Sequence, residues 1–247
     1  MRRLLPLALG ALLGACSVNV GHIQDAPRAT ALTSVDLARS MIYLARTDSG
    51  VIVIDLGWVS AGPRLRAGLR RLGAGPQDVV AVFLTHSHRD HIRGWRAVRD
   101  ARFQLALAEL PTFVGGVPHA DLSSRLAGAV FRGVYPIPDD SLTLRPFSSD
   151  TVFTFGGDTL RAFSVPGHTA GSAAYLFRGV LFVGDALAYS YLGGFRLAKR
   201  SFTLNWEQNQ ASVASLWRRV EPYRVDWVCT AHAKCARLDA LLRKGID

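Results

Sequence analysis

Residues 86–91 read His-Ser-His-Arg-Asp-His, placing three imidazoles and a carboxylate within six consecutive positions of a 247-residue chain that holds seven histidines. Imidazole nitrogen and carboxylate oxygen are donors suited to zinc and other borderline first-row divalent metals. His86, His88, Asp90 and His91 therefore make a candidate metal loop of pattern H-x-H-x-D-H. One histidine alone is ordinarily a satisfied core or surface residue, but four ligand-type residues at this spacing are not explained that way. A continued strand would send His86 and His88 to one face and a helix would scatter all four, so a loop is needed to turn them toward one point. Four ligands from a single loop do not complete a hydrolase-type centre, which predicts further His or Asp at the ends of later strands.

Three such residues follow. His168 comes after the apolar run 160–165, in the turn Pro166-Gly167-His168-Thr169-Ala170-Gly171-Ser172, while Asp185 ends the buried run 180–184 and His232 follows the run 225–231. The H-x-H-x-D-H loop, the P-G-H-T-x-G-S turn, the F-V-G-D-A segment and the late histidine occur in that order over about residues 40–240. In this the chain resembles the metallo-beta-lactamase superfamily.

The resemblance implies an α/β fold, a four-layer αββα sandwich with a dinuclear site at one edge of its two sheets. It implies that His86, His88 and His168 hold one metal, that Asp90, His91 and His232 hold the other, and that Asp185 bridges them. The cofactor would be two zinc or other divalent ions. Two such metals, roughly 3.5–4 Å apart, lower the pKa of a shared water and polarise the scissile bond. Asp90 would have a second duty as the carboxylate that takes and returns the proton. The implied activity is hydrolysis of a small ester, lactone, thioester or related bond in a small-molecule substrate. Asp185 departs from the beta-lactamases proper, which lack a carboxylate bridge, so beta-lactam hydrolysis is an alternative. A mono-iron oxidoreductase resembling the persulfide dioxygenases is another, although it would use fewer of these residues. Tyr189 is a candidate for holding a substrate carbonyl, as a tyrosine near the bridging Asp does in related lactonases; ordinary packing is its other reading. Ala231 and Ala233 stand where the family usually has glycines around the last histidine. About 15 residues follow His232, so the helical substrate-binding extension of glyoxalase II-like thioesterases is not expected in this chain.

These residues need strands that end together. The β-branched run 79–84 is the strand that delivers the first loop. Runs 40–45 and 51–56 flank Asp48-Ser49-Gly50 as a hairpin, and Asp55 at the end of the second run is expected to support the metal loop rather than ligate. Leu65, Leu69 and Leu72 have helical spacing among Arg64, Arg66, Arg70 and Arg71, a solvated amphipathic face. A helix is expected over 92–98 and a strand over 102–108. The span 110–138 is broken by glycines and prolines, either a roof over the site or a surface excursion, with a short helix at 122–130. Strands at 151–155, 160–165, 173–177 and 180–183 and helices at 208–220 and 237–243 complete an alternation that suits a layered sandwich.

At the front, Met1-Arg2-Arg3 and the apolar stretch 4–13 form an export signal too short to span a bilayer. Leu13-Gly14-Ala15-Cys16 resembles a bacterial lipobox, so residues 1–15 are expected to be removed and Cys16 lipidated. Residues 16–38 are then a tether and lead-in, entering a strand near Ala38, and 39–247 the catalytic domain. The protein is expected to be exported and held at the cell envelope, facing the periplasm or outer membrane, with a lipid bilayer as partner. Formal charge is +10, or +8 once Arg2 and Arg3 leave with the signal, but the arginines are dispersed and no nucleic-acid groove is indicated. Of three cysteines, Cys229 and Cys235 remain after Cys16 and bracket His232, as a disulfide or with one as a buried thiol. Nothing in the sequence sets the oligomeric state.

Overall fold

A computed structural model describes residues 29–34, 40–58, 60–115, 142–190, 194–233 and 235–238. The export signal, Cys16, the helix expected at 122–130 and the end of the chain lie outside these.

Two six-stranded sheets form the centre. The first has the order β1 (Ala29–Ser34), β2 (Ser40–Thr47), β3 (Gly50–Ile54), β4 (Val79–Phe83), β5 (Arg102–Ala106), β6 (Thr143–Phe147). β1 pairs with β2 and β2 with β3 antiparallel, whereas β3, β4, β5 and β6 are mutually parallel. β7 (Thr151–Phe155), β8 (Asp158–Ser164), β9 (Ala173–Phe177) and β10 (Val180–Gly184) are an antiparallel meander. β13 (Trp227–Thr230) adds parallel to β10, and β14 (Ala236–Arg237) closes that edge of the second sheet.

Side-chain alternation builds the layers. In β9, Ala173, Tyr175 and Phe177 enter the core between the sheets, while Ala174 and Leu176 face the opposite way. In β3, Ile52 and Ile54 enter that central core, while Val51 and Val53 meet α1 (Ala61–Arg71), which contributes Leu65 and Leu69. A short helix, α3 (Leu110–Phe113), comes after β5, and on the far side α4 (Trp206–Val220) lays Val213, Leu216 and Val220 on the outer face of the second sheet. Its first turn is capped by Asn205, whose side chain accepts from the Gln208 N–H at 2.9 Å. The result is the four-layer αββα sandwich.

Several local expectations change. A strand at Ala29–Ser34 falls earlier than the lead-in near Ala38, inside the stretch expected to be tether. The helix expected at 92–98 is two short pieces, α2 (Arg89–Ile92) and a 3-10 turn at Trp95–Val98. Gly94 interrupts them, donating its N–H to the Leu56 carbonyl at 3.1 Å, where a Cβ would lie 2.5 Å from that oxygen. Arg237, expected to open a helix, instead ends β14. β11 (Leu187–Ser190) and β12 (Gly194–Leu197) form a hairpin that the sequence did not announce, in which Leu187 and Phe195 both seal the cluster beneath α4. β6 was not anticipated either; its Pro146 is tolerated because the strand is the sheet's edge.

Candidate metal centre

The ends of β3, β4, β8, β10 and β13 gather at one edge of the two sheets. Past β4, Leu84 and Thr85 lead to His86; past β8, a turn carries His168; Asp185 follows β10 directly and His232 follows β13. The sheets touch here through backbone bonds, Ala173 N to Thr85 O at 2.8 Å and Met41 N to Ala231 O at 2.8 Å. Gly184 has φ of +54°, and a Cβ on it would lie 2.6 Å from the Thr85 Cβ, so only glycine lets Asp185 come alongside the metal loop. Ala231, in place of the family's glycine, is buried with its N–H on Gly184 and its carbonyl on Met41 N at 2.8 Å.

Seven ligand-type atoms converge in two groups, one of His86, His88, His168 and Asp185, the other of Asp90, His91 and His232. In the first, His88 Nδ1 is 3.1 Å from both His86 Nε2 and His168 Nε2. In the second, Asp90 Oδ2 is 3.4 Å from His232 Nε2 and 3.7 Å from His91 Nε2. Asp185 Oδ2 reaches both, at 3.6 Å from His168, 4.0 Å from His86, 3.7 Å from His91 and 3.0 Å from His232. This oxygen therefore lies between the two groups.

Hydrogen bonds behind the rings decide which nitrogen faces inward. Asp55 Oδ2 accepts from His91 Nδ1 at 2.9 Å and from the Thr85 hydroxyl at 2.7 Å, and its Oδ1 accepts the Thr85 N–H at 2.8 Å. Because the Thr85 proton goes to Asp55, Thr85 Oγ1 is left to accept from His86 Nδ1 at 3.1 Å. Likewise Thr203 gives its proton to the Lys199 carbonyl at 2.9 Å and accepts from His168 Nδ1 at 3.3 Å. His86, His91 and His168 thereby turn Nε2 toward the centre. His91 Nε2 is buried without a hydrogen-bond partner, which a cation would satisfy. The donor set fits one divalent ion per group, with Asp185 shared between them.

The charges agree with that fit. Burial lowers the His91 pKa, but Asp90, Asp55 and Asp185 outweigh it and raise it to about 9. Burial also works against the Asp185 charge, yet His232, His91 and His168 hold its carboxyl well below the usual carboxylate range. The centre is built to retain positive charge.

Asp55 takes the supporting role expected of it, in a left-handed backbone conformation at φ +56°. Tyr189 packs its ring against Phe195 at 5.0 Å, beside the cluster under α4. Cys229 and Cys235 are joined by a disulfide, settling the alternative left open by their spacing. Sequence reasoning did not find Thr85, Thr203 or Glu109, nor two buried tyrosines that anchor the loops. Tyr175 donates to the Leu84 carbonyl at 2.6 Å and Tyr43 to the Thr230 carbonyl at 2.7 Å. Each ties the inter-sheet core to the residue or two before a ligand loop, and no spacing rule singles out such phenols.

A family model described as the metallo-beta-lactamase superfamily matches residues 35–232. The chain belongs to that superfamily. Among curated relatives, a hydroxyacylglutathione hydrolase of Shewanella sp. (strain ANA-3) is 34% identical over 148 residues, covering 59% of this chain and 47% of its own length. The hydroxyacylglutathione hydrolase of Gloeobacter violaceus is 37% identical over 129 residues, 51% of this chain and 40% of that protein. The chain thus spans about half the length of the curated relatives it matches. Among solved structures, a subclass B3 metallo-beta-lactamase from a soil metagenome library superposes with TM-score 0.59 at 19% identity, covering 83% of this chain and 76% of that one. An archaeal superfamily protein from Sulfolobus tokodaii gives 0.59 at 16% identity, over 84% and 77%. These last likenesses establish the fold of this metallo-beta-lactamase superfamily member, and its named sequence relatives are hydrolases.

Proposed function

We propose that this superfamily member is a dinuclear, zinc-type metallohydrolase acting on a small acyl substrate, with thioesters first in line and esters and lactones next. The observation that carries the reading is the shared Asp185 Oδ2, within 4.0 Å of imidazole nitrogens from both ligand groups. A single-metal site would leave His91 Nε2 buried and unpartnered, so the two-metal reading is favoured over a mono-iron one. The thioester preference is supported by the hydroxyacylglutathione hydrolase names of the curated relatives.

Two divalent ions bound there would supply Lewis acidity, lowering the pKa of a water and polarising the scissile carbonyl. The chain's own residues do the rest. His86, His168 and His91 are locked in one tautomer by Thr85, Thr203 and Asp55, so the centre needs no reorganisation on binding. Asp90 is placed beside His232 and keeps 22% of its side chain exposed, where a carboxylate can take a proton and hand it to the leaving group. Metal content per chain, measured on protein purified without chelator, tests the reading together with hydrolysis of thioester, lactone, phosphodiester and beta-lactam panels. About two zinc with thioester turnover is the expected result. One iron without hydrolysis would move the reaction to oxygen chemistry.

The chain is further proposed to be exported and anchored through a lipid on Cys16, on the strength of its signal-like first 15 residues and the Leu-Gly-Ala-Cys sequence. Among the described residues no helix is long and apolar enough to cross a membrane. Cys16→Ala is expected to move the protein from the membrane to the soluble fraction, and continued retention would count against the lipid.

A further inference from the structure

Glu109 is 2% exposed and lies in the 3-10 turn Leu107–Glu109 that follows β5. Its carboxyl group takes no part in the ligand groups, yet four donors converge on it. Oε1 accepts the Ser87 N–H at 2.7 Å and the Ser87 hydroxyl at 2.6 Å. Oε2 accepts the Thr169 hydroxyl at 2.7 Å and the Gly171 N–H at 2.9 Å. Ser87 sits between His86 and His88, and Thr169 directly follows His168. One buried side chain therefore grips, with one oxygen each, the two backbone segments that carry all three histidines of the first ligand group.

The surroundings are built for this grip. A Cβ on Gly171 would lie 2.4 Å from the Glu109 backbone nitrogen, so glycine is what allows the turn to close onto Glu109. Ser172 completes the pocket, its hydroxyl accepting the Thr169 N–H at 2.9 Å and lying 2.8 Å from the Thr169 hydroxyl. With the Thr169 proton committed to Glu109, Ser172 supplies the proton between the two hydroxyls. The second ligand group has a separate support, Asp55 on His91.

We infer that Glu109 is a positioning residue for the first metal: it sets the separation between the His86–His88 loop and the His168 turn, leaving the Asp90–His91–His232 group to Asp55. The inference rests on the two-metal reading of the centre. Glutamine is the informative replacement, since it keeps size and shape but turns one oxygen into an amide that must face two donors already in place.

The test titrates zinc into metal-stripped wild-type and Glu109→Gln protein against a chromogenic chelator, and follows the two sites separately by 113Cd NMR of the cadmium-loaded forms. Outer hydrogen-bond partners of metal ligands typically contribute about 10–100-fold to affinity. The expected result is a loss in that range for the three-histidine site, with its cadmium resonance shifted or broadened and the other site's affinity and resonance kept. A variant with a lower melting temperature but both affinities unchanged would overturn the inference, because a merely structural carboxylate behaves that way. So would equal weakening of both sites. Should Glu109→Gln fail to fold, Thr169→Ala removes one of the four donors and Thr169→Ser restores it. The first is expected to weaken the same site and the second to recover it, and unchanged affinity in Thr169→Ala would again overturn the inference. Wild-type protein that takes up no zinc would overturn the metal reading itself and this inference with it, a failure distinct from a wild type with two sites that Glu109→Gln leaves intact.

Discussion

Asp185→Asn is expected to strip the protein of metal and of turnover together. Removing an outer hydrogen-bond partner of a ligand already costs about 10–100-fold, so losing the anion common to both groups should exceed about 100-fold in kcat/KM. The geometry gives the reason: Asp185 Oδ2 lies 3.0 Å from His232, 3.6 Å from His168, 3.7 Å from His91 and 4.0 Å from His86. An amide places there either a neutral oxygen or a nitrogen with hydrogens pointing where a cation should sit. Zinc per chain after dialysis, read beside kcat/KM and a circular dichroism spectrum, checks it. Two zinc and full turnover in a folded variant would sink the shared-ligand assignment.

The second large effect is expected from Asp55→Asn, which replaces none of the seven candidate ligands. Asparagine tolerates the left-handed backbone of residue 55, so the change isolates the lost charge and acceptor. Whichever way its amide turns, the nitrogen would face a donor, either the Thr85 hydroxyl and His91 Nδ1 together or the Thr85 N–H. Zinc affinity at the His91 site should fall about 10–100-fold. The pH profile gives a separate signature. A raised His91 pKa means that its protonated form stabilises the protein below about pH 6.5 and that this contribution fades as pH rises through about 9. Metal must displace that proton, so wild-type affinity should climb about tenfold per pH unit from 6.5 and level off near 9. In Asp55→Asn the plateau should begin at lower pH, because one of the carboxylates that raise the pKa has gone. Calorimetric zinc titrations across that range measure both slope and plateau, and an unshifted plateau would contradict the role given to Asp55.

The candidate ligands were legible because at four of them two independent signals coincide: an apolar, β-branched run that must be a strand, and a metal-type side chain just where it stops. His86, His168, Asp185 and His232 all show that junction. The atoms that orient them show no such signature. Glu109 sits in Ala-Leu-Ala-Glu-Leu, where it reads as any surface charge, and is meaningful only because the turn at Gly171 folds over it. Thr203 lies 35 residues from the ring it fixes, and Tyr175 reaches the Leu84 carbonyl from the opposite sheet. Such contacts arise from the packing of one sheet on the other, which local pattern does not encode. The strands that escaped notice fail the pattern for local reasons. β6 contains a proline, and β11 and β12 are four residues each, too short for alternation to stand out.

The Cys229–Cys235 bond has a consequence for how the centre is filled and emptied. It closes a small covalent ring around His232, the most exposed of the five histidines in the two ligand groups, whose side chain is 39% open to solvent. A candidate ligand leashed on both sides would have little freedom to lose on binding an ion, so the covalent ring would favour a centre already shaped for metal. The same leash is severed by a thiol reductant. Where disulfides persist, as they do outside the reducing cytosol, a shed ion can be recaptured; where they do not, recapture by His232 must first re-order a free loop.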